Sequence, residues 1–291
     1  MRRHSAVVFV SVIAMAVVVG AQGQEFARVL RNGQQATLSA FGPRPVDLAA
    51  TKLVDEFGIA LNVEDPAYLY RDDIEEIGAA RSGKPLFIPK ASLLEMRLDL
   101  RDDGSLSDVR QVVRDLQDTA NRQLPFEYKM ISEYGVDMTT GQVDKNVEIF
   151  WLIPARTRDD QGRFVVVTPI LDHRVTIPVG TRRVFEHVNL LTESLQQQTG
   201  VRVNCCEAAV SGTLWGSTVI SFSANNEPAR DVLHRLLQRE PGRDRLARNE
   251  QGGAFHLVKS DPGREHWRWS MRCTPRDAWC FINVTAIPER Q

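Results

Sequence analysis

The sequence predicts an α+β protein made of two small modules placed in succession, each a short sheet with two helices. Three observations carry that expectation. Stretches with apolar residues three, four and five apart alternate with short runs of period two. GVRVN at 200–204 echoes GIALN at 58–62. In both places a leucine stands five positions before the glycine, Leu53 before Gly58 and Leu195 before Gly200, and strand, strand, helix and strand follow. At roughly 150 residues per domain, a chain of 291 residues has room for two.

The chain opens MRRHSAVVFVSVIAMAVVVGAQGQ. Arg2 and Arg3 make a positive start, Ala6 to Val19 is apolar but for Ser11, and small residues follow at Gly20, Ala21 and Gly23. This is the pattern of a secretory signal peptide, residues 1–21, with cleavage expected after Ala21 or Gly23. The apolar run is short against the ~20 residues of a membrane span; the other reading is an uncleaved anchor. No cysteine stands near the cleavage region, so a lipoprotein is not expected, and no later stretch is apolar enough to span a bilayer. The expectation is therefore a periplasmic or secreted protein. The whole chain has 36 basic and 37 acidic residues. Losing Arg2 and Arg3 leaves a small negative excess, which gives no general reason to bind nucleic acid or anionic lipid.

Residues 22–43 are polar and glycine-bearing and read as a flexible exit segment. The first module, 44–178, begins with a helix in PVDLAATKLVDEF, ended by Gly58, since glycine accepts the left-handed cap without a Cβ clash. IALNV alternates as a strand. Residues 66–90 carry Pro66, Pro85 and Pro89 and read as an insertion with one short helix around 73–80. LLEMRLDL alternates as a strand, and Ser107 or Asp108 caps the helix of Val109, Val112, Val113, Leu116 and Ala120. FEYKMISEYG and NVEIFWLIPARTR are strands, and FVVVTPIL pairs back to make a hairpin at 147–171. The second module, 179–291, reads as helix 184–199, strands GVRVNC and STVISFSA, a helix entered through Pro228, a mobile Arg-rich loop at 242–248, then strands FHLVK, HWRWSMRC and AWCFINVTAI.

The second module, LLTESLQQQTGVRVNCC to STVISFSANNEPARDVLHRLL, resembles the secretin and TonB short N-terminal domain and related secretin N-domains. Leu195 and Gly200 match the helix end of that family, and Ala229, Leu233, Leu236 and Leu237 match its second helix. The match covers about 55 residues well and the first module weakly. It implies the fold and a use as a periplasmic docking or assembly module. Nothing here resembles a receptor barrel or a secretin pore, and adjacent cysteines are not part of the family pattern. The partner is not inherited.

All four cysteines, Cys205, Cys206, Cys273 and Cys280, lie in the second module. In an exported chain an even number favours structural disulfides. Cys273 and Cys280 can meet across a hairpin loop, TPRDAW. The rival arrangement joins Cys205 or Cys206 to Cys273 or Cys280 and leaves no strained bond between neighbours; it is the one favoured here. Zinc wants spaced ligands and a redox role wants C-x-x-C at a helix start; neither pattern is present. His173, His187, His234, His256 and His266 are scattered, and no G-x-S-x-G or phosphate loop occurs. No catalytic residue, metal ligand or cofactor is assigned. Trp267 and Trp269 share one face of HWRWSMRC and offer either core cover or an aromatic binding surface.

The expected function is non-enzymatic docking to another envelope protein, through an exposed sheet edge or the Trp-bearing face. The alternative is binding of a small molecule or glycan.

Overall fold

The computed structural model describes residues 25–80, 83–136, 143–205, 218–238, 244–248, 255–259, 266–275 and 279–287, with the backbone alone for 135–136, 143–147, 238, 244–248, 255–259, 266–267 and 285–287. The signal-peptide reading of residues 1–21 lies outside these. The chain folds as a mixed α+β protein.

The stretch expected as a flexible exit segment is structured from its fifth residue on. β1 (Phe26–Asn32) and β2 (Gln35–Gly42) form a hairpin about a two-residue turn. Gly33 stands first in that turn at φ +61°, which a side chain rarely adopts. The inward residues of β2, Ala36, Leu38 and Ala40, are all buried. Two of them are alanines, so the period is weak as a hydrophobic signal although it fits tightly beneath a helix. That helix is α1 (Pro45–Phe57), begun by a proline whose missing N–H is one the first turn leaves unused. Gly58 ends it at φ 65°, donating its N–H to the Val54 carbonyl.

β3 (Ala60–Glu64) follows. The short helix expected near 73–80 is absent. A 3-10 turn at Arg71–Asp73 leads into a hairpin of β4 (Ile74–Ala79) and β5 (Pro85–Pro89). β6 (Ser92–Asp99) leads to α2 (Val109–Gln123), whose N-cap Asp108 accepts from the Gln111 N–H. β7 (Glu127–Val136), β8 (Val143–Arg158) and β9 (Phe164–Val166) complete the first half.

In the second half, the joint TPILDHRVTIP holds a 3-10 turn (Ile170–Asp172) and enters β10 (Arg174–Arg183), a strand not anticipated from the sequence. Then come α3 (Val184–Thr199), capped by Gly200 at φ 70°, β11 (Arg202–Cys205), β12 (Val219–Pro228) and α4 (Ala229–Gln238). The Arg-rich stretch expected as a mobile loop carries β13 (Asp244–Arg248), which pairs with β14 (Phe255–Lys259). β15 (His266–Cys273) and β16 (Trp279–Ile287) close the chain's described part.

The pairing recurs between the halves. β2 is antiparallel to β6 and β10 to β12; β3 is parallel to β8 and β11 to β16; β7 is antiparallel to β8 and β15 to β16. The sheets nevertheless do not stay apart as expected. β3 and β15 pair in parallel through Val63 with Ser270 and Glu64 with Met271. This contact fuses the strands into one sheet of order β11-β16-β15-β3-β8-β7, with β9 attached to β8. The boundary expected between 178 and 179 falls inside β10, and the central sheet runs across the two halves.

A core lies on each face of that sheet. Phe150 and Leu152 of β8 face a core shared with α1, α2, β2 and β6. Ile149, Trp151 and Ile153 face one shared with α3, α4, β10 and β12. The continuous apolar run IFWLI in β8 is what burial on both faces requires.

Candidate functional site

Cys273 and Cys280 face each other in the β15–β16 ladder and are joined by a disulfide. The bond therefore takes the hairpin arrangement, and the favoured strand-crossing arrangement is corrected: the antiparallel register already holds these two residues side by side. Cys205 is buried in the second core, and Cys206 lies outside the described residues.

Trp269 is fully buried, 0% exposed, and offers no binding surface. Its strand is flanked by β16 and β3, and its face lies under α4. Trp267 joins the β15 ladder opposite Ala286, and its side chain lies outside the described residues. The Trp-bearing face is a core face at Trp269.

The β3–β15 seam is instead lined with buried polar groups. Asp47 on α1 accepts from Arg268 at 3.1 Å and from Arg272 at 2.7 Å. Arg268 also donates to the Thr51 hydroxyl. Asp65 accepts from Arg44 and from the Tyr68 hydroxyl, and Arg44 reaches on to the Cys273 carbonyl. Asn62 accepts from the Trp269 N–H, extending a ladder that is only two residue pairs long. On the other face, Glu64 is buried and its Oε1 accepts from the N–H groups of Ile170 and Leu171. Burial pushes its carboxyl up to about 8, against the lowering pull of those two N–H groups. These residues hold the halves in register.

The sheet edges are treated unequally. An unpaired edge strand is a template for another chain, and proteins cover most of them. Gln123 of α2 exchanges two hydrogen bonds with the backbone of Glu95, covering the outer side of β6. Asn121 exchanges two with Tyr128, and Gln117 accepts from the Met130 N–H, covering β7. Gln198 of α3 donates to the Arg174 carbonyl on β10. β1 receives no such cover: among the described residues no hydrogen bond reaches the backbone on its outer side.

Asn32 and Gln35 flank the two-residue turn and so exchange hydrogen bonds, and the pattern alternates along the pair. It turns the N–H and C=O groups of Ala27, Val29 and Arg31 to the open side. Beside that edge, Phe26, Phe41 and Leu93 stand in register across the outer face of the sheet. The two rings lie 6.0 Å apart, and Phe26 and Leu93 are exposed, as is Leu30 on the same strand.

A second feature is a cleft of about 540 Å³ at one end of the first half. Tyr68, Asp72, Asp73 and residues 89–92, from the expected insertion and its exit, build one wall; the end of α2 and its connection to β7 build another; Arg158 and Phe164 of the β8–β9 hairpin complete it.

Comparison with protein-family models, with curated proteins and with solved structures finds no match to this chain. Among the described residues no helix is long and apolar enough to cross a membrane.

Proposed function

We propose that this protein is a non-enzymatic docking module that takes a strand of a partner polypeptide onto the open side of β1. The observation that carries the reading is the contrast among edges: β6, β7 and β10 are covered by amide side chains from α2 and α3, whereas β1 is left open. Main-chain hydrogen bonds from Ala27, Val29 and Arg31 would supply affinity in such an addition, and side-chain contacts the selection. The Phe26–Phe41–Leu93 row beside the edge, exposed at Phe26 and Leu93, suits a partner strand with apolar residues on one face. With the N-terminal apolar segment read as an export signal, the partner belongs to the bacterial envelope.

The test places a photo-crosslinking residue at Phe26, at Leu30 or, as a control, at Val166, an exposed position on another sheet edge. Cells carrying the first two are expected to yield a common cross-linked partner that the third does not give. Ala27→Pro removes one outward N–H without touching the β2 ladder, and is expected to suppress the product while leaving the melting temperature within a few degrees. Equal cross-linking from Val166, or an unaffected Ala27→Pro protein, counts against docking at β1.

A further inference from the structure

We propose that the cleft at the end of the first half binds an organic monoanion: a carboxylate carried on an apolar or aromatic body. This site is separate from β1 and does not depend on strand addition there.

The walls supply the apolar part. Phe126, Phe164 and Tyr68 line the cleft together with Pro43, Pro89 and Pro125. Proline and aromatic rings give a rigid apolar surface that loses little conformational freedom when a ligand arrives. The volume of about 540 Å³ lies within the roughly 300–1,000 Å³ of small-molecule sites.

The charged groups divide into those already engaged and those still available. Arg158 pairs with Asp73 and lies over the Tyr70 ring at 4.9 Å. The Asp72 carboxylate accepts from the Tyr70 hydroxyl, and the Tyr68 hydroxyl is held by Asp65. Two cations remain. Lys90, where β5 runs into β6, feels the Asp73 carboxylate through space but makes no salt bridge to it among the described residues. Arg122, in the last turn of α2, makes one side-chain hydrogen bond, to the Thr119 hydroxyl. Both line the cleft, from different elements, so an anion between them meets donors from two sides. The three lining cations outnumber the two lining carboxylates by one, which matches a singly charged ligand better than a dianion. Burial raises the Asp73 carboxyl even though Arg158 opposes the shift, which marks that side of the cleft as poorly solvated.

The experiment titrates the full-length protein with 3-phenylpropanoate, with 3-phenylpropanamide and with N-acetyl-Ala-Phe, following protein amide shifts by NMR. The propanoate tests a free acid and the dipeptide tests the carboxylate end of a chain. The amide keeps the ring and removes the charge. At least one carboxylate is expected to bind, more than tenfold tighter than the amide, with shifts around residues 89–92 and 122–126. Lys90→Gln and Arg122→Gln, both at exposed positions, are each expected to weaken it fivefold or more with the melting temperature unchanged. Phe164→Ser is expected to weaken carboxylate and amide alike. Binding of the dipeptide alone assigns the site to chain ends, and binding of the propanoate alone assigns it to free acids. No binding by either carboxylate, amide binding within twofold, or an unaffected Lys90→Gln/Arg122→Gln protein overturns the proposal.

Discussion

Asp47 and Arg268 stand 221 positions apart in sequence and form an ion pair at 3.1 Å in which each side chain is only 4% exposed. One sits in the first turn of α1 and the other on β15, so the pair ties a helix of the first half to a strand of the second. Removing one partner strands a buried charge, which typically costs on the order of 3–5 kcal/mol. Asp47→Ala is expected to lose about that much in urea unfolding, with a lower midpoint. The double variant Asp47→Leu/Arg268→Met, which removes both charges, is expected to recover most of it. A double variant as unstable as the single one would show that the ion pair is not what Asp47 contributes.

Glu64 gives stability a pH dependence of definite sign. Its folded value near 8 lies above the ordinary 4.5, so the folded chain holds a proton that the unfolded chain has released between those values. Its contribution is complete below about pH 4.5 and is lost as pH rises through 8. Glu64→Gln stays neutral throughout. Between pH 5 and 8 the variant is expected to lose stability less steeply than the parent. The difference amounts to a few kcal/mol in total, because each tenfold difference in proton affinity between the folded and unfolded chains is worth roughly 1.4 kcal/mol. Parallel melting curves for both proteins would remove Glu64 as the source.

The Cys273–Cys280 bond closes a short loop, with the two residues seven apart. The loop-entropy relation assigns a loop of this size about 2–3 kcal/mol. Reduction of the parent protein is expected to lower its stability by that amount, to the level of Cys273→Ser/Cys280→Ser. Peptide mapping without reduction should recover the 273–280 pair.

Asn121 satisfies both the N–H and the C=O of Tyr128. Asn121→Ala leaves two partly buried backbone groups to find water and uncovers the β7 edge. It is expected to cost about 1–3 kcal/mol and to raise concentration-dependent association, measured by light scattering, because an open edge invites pairing. Gln117→Ala, which removes a single bond to Met130, is expected to do the same more weakly.

The caps are the most legible part of this chain. Gly58 and Gly200 follow apolar helical repeats, and both adopt the left-handed conformation that only glycine accepts freely. The α2 helix is equally plain from Val112, Val113, Leu116 and Ala120, all buried. The hairpin of β1 and β2 escapes the pattern because its inward residues are small. β4 imitates a helix because Ile74 and Ile77 are three apart, a helical spacing; a register irregularity next to Gly78 breaks the strand's period there. The alternation of Trp267 and Trp269 speaks for a strand but cannot say that β3 and α4 close over Trp269. The run IFWLI does carry a signal of two-sided burial, and with it of a shared sheet. The open edge at β1 has no local signature, because an edge is defined by which strands fail to arrive. The amides that cover β6 and β7, Gln117, Asn121 and Gln123, look in sequence like an ordinary wet helix face.

Strand β3 is complete at Glu64, but its neighbour β15 begins only at His266. At roughly 5–20 residues per second of synthesis, this flank of β3 waits on the order of ten to forty seconds for the chain that will cover it. The side chains of Asn62 and Asp47, which receive hydrogen bonds from β15, wait with it. The central sheet therefore joins only once the last strands have arrived, and a chain cut anywhere between Glu64 and His266 would leave this flank of β3 bare.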